Sequence, residues 1–366
     1  MTPWTVVNDE TAENPERPAE NHGPHGWVKA VLVSLLAVLV LGTGAVLLPA
    51  NDGPAPEPPF SEAAKAAAYA ETRALLVDAS AAGSAPATAA LLETQARALL
   101  APAPASPTAA WSAAVSSAPA GPSSKAAFLA RLSRSAAQRL ADAGKSDGGT
   151  ARLLAAVGTA QLLESVRLAG AWGLPAPAGP SLALPTAAPS PAAPPTCTSG
   201  AGTTTAAPPA GEADPAGAGD ALAAVVGAEQ KAVYVYQVAL TRLDGPDAGT
   251  AAGDLARHQE LLREAEALAR VHCTEPPPRE AGYRLPADFG TQAAAALGEQ
   301  ESATLAAYGE LVALSDGETR RWAMAGLLDG ARRLESWGTL PGALPGLPVD
   351  PAALPGLPES TSAPQR

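Results

Sequence analysis

Residues 227–240 read "GAEQKAVYVYQVAL", and the fold follows from one residue among them. At helical spacing an apolar stripe runs Leu222, Val226, Val233, Tyr236, Leu240, and the position that completes it is Glu229. A carboxylate on the face that a helix buries costs several kcal/mol, on the order of a domain's whole stability, unless it is paired or bound to a cation. The surrounding sequence therefore has to supply partners.

It supplies them at matching places. Four long helices are predicted between 216 and 338, over 217–244, 250–272, 288–315 and 317–337. "LDGPDAG" breaks the first from the second, "TEPPPREAGYRLPAD" is a longer crossing, and "SDGE" is a tight turn with an acidic helix start. Glu229 is followed seven residues later by Tyr236, and Glu301 seven residues later by Tyr308, within a stripe of Leu297, Leu305 and Val312. On the second helix Leu255, His258, Leu262, Ala265 and Ala269 share a face. On the fourth, Trp322, Ala325, Asp329, Arg332 and Ser336 do so. Each helix brings an ionisable group inward near its middle. The expected buried polar cluster is Glu229, Tyr236, His258, Glu301, Tyr308, Asp329 and Arg332.

Two antiparallel hairpins joined by a long connection have the topology of ferritin-like bundles. In the di-iron members two helices each give a Glu and two each give Glu-x-x-His. Here Leu255 stands where a carboxylate would, before His258, and Arg332 stands where the second histidine would. Two readings follow. Glu229, His258, Glu301 and Asp329 are enough donors for one iron, manganese or zinc ion, with oxidase or ferroxidase chemistry if two metals bound. In the favoured reading no cofactor is bound, and a buried arginine pairs with Asp329 and with Glu229 or Glu301 while His258 donates to a remaining oxygen.

Residues 216–347 also resemble an uncharacterised ferritin-like domain family of high-GC Gram-positive bacteria. The resemblance is carried by "AEQKAVYVYQ", "RHQELL", "YRLP", the Glu–Tyr third helix, and "LLDGARRLESWG" followed by "LPGLP". It implies a fold and leaves the chemistry open. It also implies a membrane anchor and a first helical bundle joined to such a domain.

The rest of the chain agrees with an all-α protein. Alanine dominates its apolar residues, only 4% of residues are aromatic, and no run shows strand alternation. Residues 1–26 form an acidic tail expected to be disordered and cytoplasmic. Ala30 to Leu48 is uncharged, long enough for a bilayer-spanning helix, with Trp27 and Lys29 at its N-terminal edge. Residues 27–49 are thus the expected contact with the lipid bilayer. A cleaved signal peptide would want a short basic leader and a small-residue site, whereas "LLPA" follows an acidic leader. The expectation is a single-pass protein of the cell membrane with the bulk of the chain extracytoplasmic.

Residues 60–173 predict a small helical bundle, with helices over 61–80, 87–101, 123–143 and 150–172 and Ser61 as the first N-cap. Phe128, Leu132, Ala136 and Leu140 stripe the third helix. On the fourth, Leu154, Val157, Gln161, Glu164 and Leu168 share a face that reads as partly exposed. Residues 174–215, rich in Pro, Ala and Thr, are expected as an extended linker. Residues 339–366 form a Pro-rich tail whose "LPG" triplets suggest a strap along a surface or a disordered end. Cys197, in the linker, and Cys273, after the second helix of the second bundle, are the chain's two cysteines and a candidate disulfide in an oxidising compartment.

The formal charge of −12, without a basic cluster, argues against nucleic acid. The sign differs between regions: 60–173 carries ten basic and seven acidic residues, 216–340 eleven and eighteen. Opposite signs favour contact between them. No G-x-S-x-G, H-E-x-x-H or phosphate loop is present, and only His258 and His272 lie beyond the hydrophobic segment. The expected role is binding or scaffolding at the cell envelope with a protein partner there, with a metal-dependent oxidase as the alternative.

Overall fold

The computed structural model describes residues 57–100, 124–178 and 217–358. The predicted cytoplasmic tail, the membrane segment 27–49, most of the linker with Cys197, and the last eight residues lie outside the described residues. Among the described residues the chain is all helical: α1 (Phe60–Ala81), α2 (Pro86–Leu100), α3 (Lys125–Ala143), α4 (Gly148–Trp172), α5 (Ala218–Ala239), α6 (Gly245–Val271), α7 (Ala293–Leu314), α8 (Gly317–Ser336) and a 3-10 turn at Pro351–Ala353. None of these helices is long and apolar enough to cross a membrane.

Local chemistry explains most of the boundaries. Ser124 caps α3 by accepting from the Ala127 amide at 3.2 Å, Asp147 caps α4 through the Thr150 amide at 3.1 Å, and Gly173 ends α4 in the left-handed conformation. Two expectations are corrected. Ser61 is inside α1, whose N-cap is Pro59, and its hydroxyl instead accepts from the Asp147 amide at 2.7 Å, tying α1 to the start of α4. The second helix of the 216–338 region starts at Gly245, well before 250, because Pro246 falls in its first turn, where a missing N–H costs nothing.

The face of α4 read as partly exposed is in fact buried, because other helices pack over most of α4. Gln161 donates to Gln95 Oε1 at 3.0 Å, and Glu164 accepts from Thr88 at 2.5 Å and from the Arg167 Nε at 2.7 Å. Its N-terminal half packs on α7 and α8, so that Leu154, Val157, Leu311, Trp322 and Met324 belong to one hydrophobic core. Charge and polar contacts follow that seam. Arg152 pairs with Glu310, and Arg320 donates to the Ser146 carbonyl at 2.6 Å. Helices α5–α8 pack with α5 against α6 and α7, and α8 against α7 and α6. Residues 272–292 form the long crossing between α6 and α7, and Cys273 at its start is disulfide-bonded.

After α8 the chain turns at Gly338 and lies back over the helices as a strap, residues 339–358. Gln95 donates to Ala343 O at 3.0 Å, and Arg97 donates to Leu354 O at 2.6 Å and Pro355 O at 3.0 Å.

Candidate functional site: a buried ion network

Helices α5 and α7 run antiparallel, and the repeated Glu–Tyr spacing makes them complementary. The Tyr236 hydroxyl donates to Glu301 Oε1 at 2.7 Å, and the Tyr308 hydroxyl donates to Glu229 Oε1 at 2.8 Å. Each helix's tyrosine thus serves the other helix's glutamate, because a seven-residue step in opposite directions brings both pairs level. His258 of α6 stands between the two carboxylates. Its Nδ1 is 2.7 Å from Glu229 Oε2 and its Nε2 is 2.7 Å from Glu301 Oε1. All three side chains are fully buried.

This geometry favours a charged imidazole. A neutral ring has a single N–H, whereas an imidazolium can donate from both nitrogens to the two glutamate oxygens they face. Burial alone would lower the His258 pKa. The hydrogen bonds and charges of Glu229 and Glu301 outweigh it and push the pKa up to about 9. For Glu301 the opposite balance holds: burial raises its pKa, while His258, Arg333 and Tyr236 bring it below the ordinary carboxylate value. Both tyrosines are pushed upward, first by burial and then by the adjacent carboxylate.

The second cation is Arg333. Its Nε donates to Glu301 Oε2 at 3.0 Å and its Nη1 to Asp329 Oδ2 at 2.8 Å. This corrects the assignment to Arg332, which is exposed. The buried seam of α8 passes through Trp322, Gly326, Gly330 and Arg333, a series of steps that stays on one helical face. A stripe drawn from apolar side chains misses it, since two of its four members have no side chain. Both glycines are there for room. A Cβ at Gly326 would lie 2.2 Å from Tyr308 Cε1, and one at Gly330 would lie 2.9 Å from Leu305 Cδ2. Glycines at i and i+4 on α8 were the available signal for the correct phase.

Of the predicted residues, the structure brings Glu229, Tyr236, His258, Glu301 and Tyr308 together. Asp329 lies at the rim, its side chain 29% exposed, held by Arg333 and by Arg257 Nε at 2.9 Å. Sequence reasoning missed the outer partners. Trp337 Nε1 donates to the Tyr236 hydroxyl at 2.8 Å and to Asp254 Oδ2 at 3.0 Å, and Trp322 Nε1 donates to Glu264 Oε2 at 2.8 Å. Asp254 precedes His258 by one helical turn, a spacing that could have flagged it. Burial chiefly, and then the charge of Glu301, raise its pKa.

A metal ion held by Glu229, His258, Glu301 and Asp329 does not fit this arrangement. Ligation needs an imidazole lone pair aimed at the metal, and both His258 nitrogens are taken up by glutamates. Asp329 is engaged by two arginines, and Arg333 places a fixed positive charge beside the carboxylates. Among the described residues no group of three or more His, Cys, Asp or Glu is arranged to hold a metal ion.

Residues 221–349 match a known protein family, described as a domain of unknown function (DUF4439). That span takes in nearly all of α5, the whole of α6–α8 and the first half of the strap, and leaves α1–α4 outside. No curated protein and no solved structure matches the chain.

Proposed function

We propose that this chain is a membrane-anchored extracytoplasmic protein whose second helical region is a ferritin-like four-helix bundle with its metal position taken over by an ion network. Its role is then binding or scaffolding at the cell envelope, with no redox catalysis in the bundle. The observation that carries this reading is His258, seated between Glu229 and Glu301 with both ring nitrogens engaged at 2.7 Å. Two glutamates balanced by an imidazolium and a guanidinium leave no net charge for a metal ion to neutralise. The ferritin-like reading is supported by the paired helices, the long crossing between α6 and α7, and the facing glutamates of α5 and α7. The anchor rests on the uncharged run in 27–49.

The test is metal analysis of the full chain purified in detergent and dialysed separately against iron, manganese and zinc, beside a His258→Ala variant. The expected result is no stoichiometric metal in the wild type. One ion per chain in the wild type, lost in the variant, would establish the metal-binding alternative.

A further inference from the structure

The strap is held in a way that specifies a ligand. Leu344, Pro345, Gly346 and Leu347 form a turn in which the Leu347 amide donates to Leu344 O at 3.1 Å and Gly346 has φ +76°. Proline followed by a left-handed glycine is the composition of a type II turn. The turn sits in a notch. A Cβ on Gly346 would lie 2.6 Å from Leu327 Cδ1 of α8 and 2.8 Å from Leu305 O of α7, so only glycine fits in both backbone and space. The floor is glycine too: a Cβ on Gly309 of α7 would lie 2.1 Å from Gly346 O. Pro345 is buried, and Leu344 packs against the hydrophobic core.

The notch also carries a positioned donor. Arg152 of α4 is anchored through Nη1 by Glu310, the neighbour of Gly309, and directs Nε at 3.1 Å and Nη2 at 2.9 Å to the carbonyl of Gly346. A guanidinium held by a carboxylate needs little reorganisation to meet a backbone oxygen. Further along, Gln95 and Arg97 likewise donate to strap carbonyls, which any peptide of this backbone shape presents. The Leu-Pro-Gly unit is recognised by its own shape and apolar side chains as well. The strap holds a second Leu-Pro-Gly-Leu at 354–357 and a Leu-Pro-Gly at 340–342.

We propose that the notch formed by Arg152 of α4, Leu305 and Gly309 of α7 and Leu327 of α8 is a receptor for a Leu-Pro-Gly turn. Residues 344–347 are its resident ligand, and it accepts a Leu-Pro-Gly-containing peptide in trans once they leave. This gives the binding role proposed above a ligand class. It is independent of the ion network, so the metal assay and the peptide assay can fail separately.

The experiment uses the full chain in detergent with a site-specific protease sequence inserted after Leu340, which is exposed. The chain is folded, cut, and challenged with a fluorescent peptide spanning 341–358. Unlabelled peptide and a Gly346→Val version serve as competitors. We expect the cut fragment to stay bound on gel filtration and to be replaced by labelled peptide. The Gly346→Val peptide should compete at least about a hundredfold less well, and Arg152→Ala should speed release about tenfold or more, the effect of losing hydrogen bonds from a charged donor. The uncut chain should take up little labelled peptide, because its own strap is present at roughly millimolar effective concentration. Equal competition by the two peptides would overturn the proposal, as would loss of helix content on cutting. A cut chain that keeps its helices and binds no peptide would also overturn it. In the uncut chain, hydrogen exchange gives a second readout: Arg152→Ala should expose strap amides alone, and unchanged strap protection would count against the receptor.

Discussion

Replacing Arg333 by alanine tests the electrostatic account of the core most directly. The side chain is 6% exposed and its Nε lies 3.0 Å from Glu301 Oε2, which is itself fully buried. Without it, Glu301 keeps His258 as its sole adjacent cation while Glu229 draws on the same imidazolium. Two buried carboxylates then share one positive charge. Removing one member of a buried pair costs about 3–5 kcal/mol, since the charge left behind is uncompensated. Asp329 also loses its Nη1 partner, but it is part-exposed and retains Arg257, so its share is small. Arg332→Ala is the matched control, one residue away and exposed, with an expected change within about 0.5 kcal/mol. Equilibrium urea unfolding, followed by tryptophan fluorescence, reads both, with Trp322 and Trp337 reporting beside the network. If Arg333→Ala cost under about 1 kcal/mol, or no more than Arg332→Ala, the two-cation balance would be wrong.

Further outcomes follow from the same geometry. Because the folded pKa of His258 is raised from 6.5 to about 9, its stabilisation is fully present below the unfolded value and is lost as pH rises through about 9. Unfolding free energies of the wild type should fall by roughly 3 kcal/mol more than those of His258→Gln between pH 6.5 and pH 9.5; parallel profiles would refute the imidazolium. Glu301 has a lowered folded pKa, so its contribution is present above the unfolded value and is lost as pH falls through the folded one. In Gly326→Ala the new methyl must displace the Tyr308 ring, which is fully buried and hydrogen-bonded to Glu229. A loss of about 1–3 kcal/mol from overpacking is expected in urea unfolding, and a neutral variant would show that α8 can move away.

The sequence by itself determined that the chain is helical and that a cluster of charged residues is buried in its second half. Alanine-rich periodicity, capping residues and glycine breaks are local properties, and a glutamate in an apolar stripe is visible wherever the stripe is. The recurrence of Glu–Tyr at seven residues is visible in the sequence, but that each tyrosine serves the other helix's glutamate is decided by the antiparallel packing of α5 and α7. Tertiary structure decided what the spacing left open. A helix packed on one side shows its buried face in its pattern, but α8 is buried over most of its circumference, and its seam toward Glu301 runs through Gly326 and Gly330. An amphipathic count registers nothing there, and the space around Gly326 and Gly330 is what separates Arg333 from Arg332. The burial of the Gln161–Glu164 face of α4 and the seating of the Leu-Pro-Gly strap were likewise beyond the sequence, because each depends on surfaces from helices far apart in the chain. Where the two ring nitrogens of His258 point is likewise a matter of helix rotation that no spacing of residue types records.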